Sequence, residues 1–186
     1  MRIPLYLFLF LASCTAVSVS TKKAMQLQLH AIEGGLTQLD LQMRDSGLVV
    51  IMLDAECPIC QKYTLTLREL EARYPKTAFV GVFTKWNDDE AITTFARQYE
   101  LKLPLLRDPR HRLVRALKAT TTPEVFLFDR QGGLQYRGAI DNWFFGLGNY
   151  RPHITEFYLE DAVKALAEGK TAPVKVTRPI GCIIQQ

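Results

Sequence analysis

A chain of 186 residues that is 48% hydrophobic and 23% charged is long enough for one ordinary domain with a real core, and its balance excludes a disordered, collagen-like or repeat protein. Its 23 basic and 19 acidic residues leave a formal charge of +4, but they are interspersed with no run of five like charges. That pattern describes a solvated mixed surface and gives no footing to nucleic-acid binding.

The first segment differs from the rest. After Met1-Arg2 the uncharged run Leu5 to Ala12 has the length of a signal-peptide core and is too short to span a bilayer, which takes about 20 residues. Residues 1–13 therefore read as a signal peptide. The run ends in Leu11-Ala12-Ser13-Cys14, which resembles a bacterial lipobox. That resemblance implies a lipidated Cys14 as the new N-terminus, a membrane anchor without a spanning helix, and a periplasmic or outer-membrane location, with Thr15 favouring the outer membrane. An ordinary cleaved signal that discards Cys14 is the alternative. Export leaves Cys57, Cys60 and Cys182, an odd number that argues against a purely structural disulfide framework and for redox chemistry.

Residues 15–24, rich in Ser, Thr and Lys, read as a tether, and 25–186 as the folded domain. Met25 to His30 alternates like an edge strand, and Leu36 to Arg44 alternates again. Leu48 to Leu53 (LVVIML) is a strand buried on both faces. Gln61 to Tyr74 follows, with Tyr63, Leu65, Leu67 and Leu70 at helix-compatible spacing. Thr77 to Phe83 is a second buried strand, and Asp88 to Leu101 a helix with acids in its first turn. Leu103 to Leu106 reads as a short strand, Arg110 to Ala119 as a short basic helix, and Val125 to Asp129 as a third apolar strand. Gln131-Gly132-Gly133 turns into Leu134 to Ala139. Thr155 to Glu168 is the last helix, stopped by Gly169, and a Gly181-Cys182 tail closes the chain. The order predicts an α/β fold, with a mixed central sheet flanked by helices on both faces and no internal repeat.

Cys57-Pro58-Ile59-Cys60 sits at a strand-to-helix turn. Unpaired N–H groups and the helix dipole favour a thiolate there, and Pro58 suits the first helical position. Cys60, three residues on, shares the helical face at about 5–6 Å, within disulfide reach. The spacing lets Cys57 attack and Cys60 resolve. A zinc site also uses this spacing, but it needs a second pair that Cys182 alone does not supply.

The second signal is Thr121-Thr122-Pro123-Glu124-Val125-Phe126-Leu127-Phe128-Asp129, a proline directly before a buried strand. Together with Val49 to Leu53 before the dithiol, Leu103-Pro104-Leu105-Leu106-Arg107-Asp108, and Tyr136-Arg137-Gly138-Ala139-Ile140-Asp141, it makes the chain resemble the thioredoxin superfamily. From about Leu36 to Lys170 it is similar to the redoxin branch, the AhpC/TSA and TlpA/ResA-like thiol–disulfide oxidoreductases. The resemblance implies a thioredoxin-like fold and a cis-Pro123 facing the cysteines, with Thr122 contributing backbone contacts to a substrate strand. It also implies thiol–disulfide exchange with client proteins and a redox partner protein, and no bound cofactor or metal.

Departures matter. Thioredoxin's aromatic residues before the first cysteine are Asp54-Ala55-Glu56 here, and Ile51 stands where its buried aspartate would relay a proton. Asp54 or Glu56 is either a substitute base or a partly solvated acid at the strand end. A peroxiredoxin pattern wants Pro and Thr where this chain has Val50 and Asp54, which disfavours the alternative of a thiol peroxidase. A copper-delivery module like the Sco proteins is the non-enzymatic alternative, with Cys182 joining the dithiol and His153 the histidine of the late loop, although the cysteine spacing is one residue short. Cys182 reads either as a third, resolving thiol or as a packed one. Trp143, Phe144 and Phe145 read as core or flap packing, or as a docking surface.

Overall fold

The computed structural model describes residues 21–185; Cys14, the expected signal segment and residues 15–20 of the expected tether lie outside the described residues. Among the described residues the elements run β1 (Leu29–Ala31), β2 (Leu36–Thr37), a 3-10 turn (Asp40–Gln42), β3 (Leu48–Leu53), α1 (Pro58–Arg73), β4 (Ala78–Thr84), α2 (Asp89–Gln98), β5 (Leu105–Asp108) and α3 (Arg112–Leu117). They continue with β6 (Thr121–Thr122), β7 (Glu124–Phe128), β8 (Leu134–Gly138), β9 (Phe144–Gly146), β10 (Asn149–Tyr150), α4 (Tyr158–Ala167) and β11 (Cys182–Ile183).

The main sheet has the order β2-β1-β5-β4-β3-β7-β8. The strands joined through α1 and α2, β3 to β4 and β4 to β5, are parallel, as helical crossovers require. β7 and β8 add an antiparallel pair beside β3, and β1 closes the far side antiparallel to β5. Every residue of β3 and β4 is buried, which explains their continuous apolar runs. Along β3 the side chains alternate between two cores. Val49, Ile51 and Leu53 face the cluster built with α1, α2 and α4, whereas Leu48, Val50 and Met52 face the one built with α3. The sheet is thus covered on both faces, and the fold is thioredoxin-like as the sequence predicts.

The helices start and stop for identifiable reasons. The α1 stripe Ile59, Cys60, Tyr63, Leu67 and Leu70 is buried against the sheet, whereas Leu65, expected with them, points off that stripe and is exposed. Truncating the fully buried Leu67 to alanine costs about 2–5 kcal/mol. Asp88 caps α2 by accepting from Ala91 N at 2.8 Å. Buried Asp108 ends β5 and caps α3 with three bonds, from the amides of Arg112 (2.9 Å), Leu113 (2.8 Å) and Val114 (3.0 Å). Past α4, Gly169 takes φ +71°, the left-handed position that stops the helix.

Several expectations shift, among them the last helix, which starts at Tyr158 and not at Thr155. Residues 21–25 are helical, with Ala24 and Met25 buried under the α3 face, so the tether does not extend through residue 24 and the first strand shortens to Leu29–Ala31. The alternation from Leu36 to Arg44 yields only a two-residue strand and a 3-10 turn, because the segment crosses the edge of the sheet. The strand placed at Leu103 to Leu106 forms two residues later, since Leu103 serves the core from the preceding loop. The tail carries a strand, β11, that its two-residue length hides from any periodicity argument.

Candidate active site

Strand β3 delivers the chain to residues 54–57. Asp54 folds back, its carboxylate accepting from Glu56 N at 2.9 Å and its carbonyl from Cys57 N at 3.2 Å. Buried Asn87 pins this loop from the other side, bonding Ala55 N and the Asp54 carboxylate at 3.4 Å each. Cys57 is the N-cap of α1 and Pro58 its first helical residue. Gln61 N closes the first turn on the Cys57 carbonyl at 3.1 Å. Both cysteines are buried, Cys57 at 2% exposure and Cys60 at 0%. Cys57, Cys60 and Cys182 are free thiols.

The cluster separates its three thiols electrostatically. Cys57 is lowered from 9.0 to about 5, foremost because the Cys60 thiol donates to its sulfur; burial opposes the shift, and the Cys182 thiol donates as well. Cys60 is pushed well above 9.0 by burial first and by the Cys57 charge it serves. Cys182 is pushed up to about 12, by burial and then by the same Cys57 charge, with Asp54 adding to it. The helix terminus that the sequence points to is present, yet neighbouring thiols are the larger cause. When protonated, Cys57 donates instead to the Thr122 carbonyl at 3.2 Å, a contact that turns repulsive on ionisation and leaves the two thiol donors to hold the charge.

The Thr122–Pro123 peptide is cis and faces this sulfur through that carbonyl. Thr122 is buried and belongs to the short strand β6. Its partner is β11, antiparallel, with Cys182 opposite Thr122 and Ile183 opposite Thr121. The four residues expected to share a site, Cys57, Cys60, Thr122 and Pro123, are therefore together, and Cys182 joins them. His153 instead stands exposed before α4. Among the described residues no cluster of three His, Cys, Asp or Glu is arranged to hold a metal ion. Glu56 is exposed and Asp54 half-buried, and neither is a leading influence on Cys57.

Two participants escaped the sequence reading. Tyr63, one turn past Cys60 on α1, donates to the carboxylate of buried Asp141 at 2.5 Å, and Trp143 N donates to the same oxygen at 2.8 Å. Burial pushes Asp141 above the usual carboxylate range. With Pro123, Ile140, Phe144 and Ile180 this pair lines a narrow crevice beside the cis peptide. Asp141 was visible as the end of the Tyr136 to Asp141 string, but nothing in the sequence tied it to Tyr63. The aromatic loop divides: Phe144 packs and Trp143 stands edge-on to Tyr63 at 5.5 Å, while Phe145 and Tyr150 are exposed.

Residues 20–137 match the AhpC/TSA family model. The chain belongs to the AhpC/TSA family. A search among curated proteins finds no match. Among solved structures, the chain is similar to an uncharacterized conserved protein from Geobacillus kaustophilus, with 25% identity, a TM-score of 0.78, and coverage of 88% of this chain and 89% of that one. A hypothetical protein from Sinorhizobium meliloti is alike at 25% identity, TM-score 0.74, 87% of this chain and 91% of the other. The fold is shared with a putative thiol:disulfide interchange protein DsbE from Chlorobium tepidum, at 18% identity, TM-score 0.59 and 78% and 93% coverage. A secreted Mycobacterium tuberculosis disulfide oxidoreductase shares it too, at 19% identity, TM-score 0.54 and 60% and 82% coverage. This member of the AhpC/TSA family thus has the fold of thiol–disulfide oxidoreductases, and its tail strand β11 lies beyond the family match.

Proposed function

We propose that the protein is an exported thiol–disulfide oxidoreductase in which Cys57 attacks and Cys60 resolves, working with a redox partner protein and thiol or disulfide clients. The observation that carries the reading is a buried Cys57 at the N-terminus of α1, with buried Cys60 one helical turn on and the carbonyl of the cis Thr122–Pro123 peptide 3.2 Å from the Cys57 sulfur. A Cys57 thiol lowered to about 5 accords with it. In the reducing direction the Cys57 thiolate attacks one sulfur of a client disulfide and the other sulfur leaves as a thiolate. Cys60 then loses its proton and attacks the Cys57 sulfur, and the second client thiolate departs. Burial is the first hold on the Cys60 proton, and the Cys57 charge adds to it; bonding Cys57 removes that second hold and eases the proton's loss at the step that needs it. Thr122 and Pro123 stand against the Cys57 sulfur, and the Thr122 edge, where a substrate strand would pair, is taken by the chain's own β11 in this structure.

Redox titration of the soluble domain in glutathione and dithiothreitol buffers, counting thiols by alkylation mass-tagging, tests this. A two-electron transition that vanishes in Cys57→Ser is expected, and no transition between reducing and oxidising extremes would sink the reading. Family membership favours a second reading, a thiol peroxidase. Asp54 stands where that chemistry wants a threonine, so slow or absent peroxide consumption is expected; rapid thiol-dependent turnover of hydrogen peroxide reverses the order of the two readings.

The N-terminal pattern supports export and anchoring through a lipidated Cys14. Labelled palmitate is expected to enter the full chain in a bacterial host and to be lost from Cys14→Ser. Equal labelling of both would remove the anchor from the proposal.

A further inference from the structure

The strand edge that precedes the cis peptide is already filled by the chain's own tail, and the tail is built to stay there. It is fastened in two places. At 175–177 it runs along β8, with Arg137 N donating to the Lys175 carbonyl and Thr177 N to the Arg137 carbonyl, both at 3.0 Å. The Thr177 hydroxyl bonds Tyr136 Oη at 2.6 Å and accepts from Ala139 N at 2.9 Å. At 181–184 the tail pairs with β6, and Ile184 N donates to the Thr120 carbonyl at 2.9 Å while its side chain is buried in the α3-side core. Gly181 makes the approach possible, because a Cβ there would lie 2.1 Å from the Thr122 carbonyl oxygen. Cys182 is then held opposite Thr122, the residue whose carbonyl lies 3.2 Å from the Cys57 sulfur. Under this cover Cys57 and Cys60 are 2% and 0% exposed, so among the described cysteines Cys182 alone is open to solvent, and its neighbour Ile183 is 81% exposed.

We propose that Cys182 is a third redox thiol, a tethered stand-in for a client cysteine, which forms a disulfide with Cys57 and carries exchange between the buried dithiol and thiols outside. The proposal rests on the dithiol reading above and names the group through which a client dithiol enters. In the Cys57–Cys60 oxidised form, Cys182 gives up its proton and attacks the Cys57 sulfur. The Cys57–Cys60 bond breaks as the Cys57–Cys182 bond forms, and Cys60 leaves and takes a proton, with no net oxidation. A client thiolate then attacks the Cys182 sulfur at the open side and expels Cys57, whose lowered pKa makes it the better leaving group. The client's second thiol attacks its own sulfur in that mixed disulfide and releases Cys182. The client dithiol has become a disulfide, and the protein has gained two electrons and one proton, with Cys57 left as its thiolate and the client's other proton released to solvent.

The test uses the chain with its complete C-terminus, oxidised with diamide and mapped by non-reducing peptide mass spectrometry. In Cys60→Ser, an intramolecular Cys57–Cys182 disulfide with loss of both alkylatable thiols is expected. If both stay free, or pair only between molecules, the third thiol is overturned. Gly181→Ala displaces β11 without touching a thiol, and it is expected to lower the Cys57–Cys182 yield and slow oxidation of a dithiol peptide. Faster oxidation in Gly181→Ala would make the tail a mere cover and overturn the relay. The dithiol reading fails separately, only if Cys182→Ser forms no Cys57–Cys60 disulfide at any redox poise.

Discussion

The residues on either side of Pro123 lead into two buried polar clusters that do opposite things. On one side, Thr122 turns its carbonyl to Cys57, whose other partners are the thiols of Cys60 and Cys182. On the other, Glu124, 1% exposed, accepts from Thr120 N at 2.8 Å and pairs with Arg137, whose guanidinium also bonds the Leu117 carbonyl at 3.0 Å and the Lys118 carbonyl at 3.1 Å and lies over the Phe126 ring. Each charge in the second cluster is spent on fixed backbone and one counter-ion, so the cluster ties β7 and β8 to the end of α3. In the first, the partners are groups that can exchange covalent bonds. Burial alone does not separate structure from chemistry; the nature of the partners does.

Breaking the structural cluster should produce the larger change in stability. Glu124→Ala leaves Arg137 without its carboxylate and Thr120 N without its acceptor, and it should cost about 3 kcal/mol or more in denaturant unfolding. The Cys57 thiolate titration, read by ultraviolet thiolate absorbance, should stay near 5 in the same variant. A loss below about 0.5 kcal/mol, the usual range for ordinary surface changes, would erase the distinction between the clusters.

The sequence carried the architecture further than it carried the site. Fully buried β3 and β4 announce themselves as unbroken apolar runs, and Asp88 and Gly169 mark helix ends through side-chain and backbone chemistry that acts locally. The dithiol and cis-Pro123 were legible for the same reason: each is a local junction signal, a cysteine or proline at a strand end. Asn87, the Tyr63–Asp141 pair and the seat of Cys182 were not. Their meaning lies in contacts between residues at least 32 positions apart, and β11 is too short to show a period. Glu124 and Arg137 belonged to recognisable strings, but that one holds the other follows only from the antiparallel register of β7 and β8.

The reactive cluster has a signature of its own, a pH dependence of opposite sign on two sides of the free-thiol value. Cys57 is lowered from 9.0 to about 5, so between those values the unfolded chain holds a proton that the folded chain has released. Stability from this group is therefore complete above 9.0 and is lost as pH falls through about 5. Cys60 and Cys182 are raised, the latter from 9.0 to about 12, so their contribution is complete below 9.0 and is lost as pH rises beyond it. The thiols together should give a rising and then a falling limb that meet near 9.0. Cys60→Ala removes the foremost cause of the Cys57 shift, so the thiolate midpoint should move up and the rising limb should flatten. Cys182→Ala should do the same by less, because its donation ranks behind both the Cys60 thiol and the opposing burial. Cys60→Ser, whose hydroxyl can still donate, should fall between wild type and Cys60→Ala. Equal midpoints in all four proteins would mean that the helix terminus alone holds the thiolate, and that the three thiols share a site without sharing a proton.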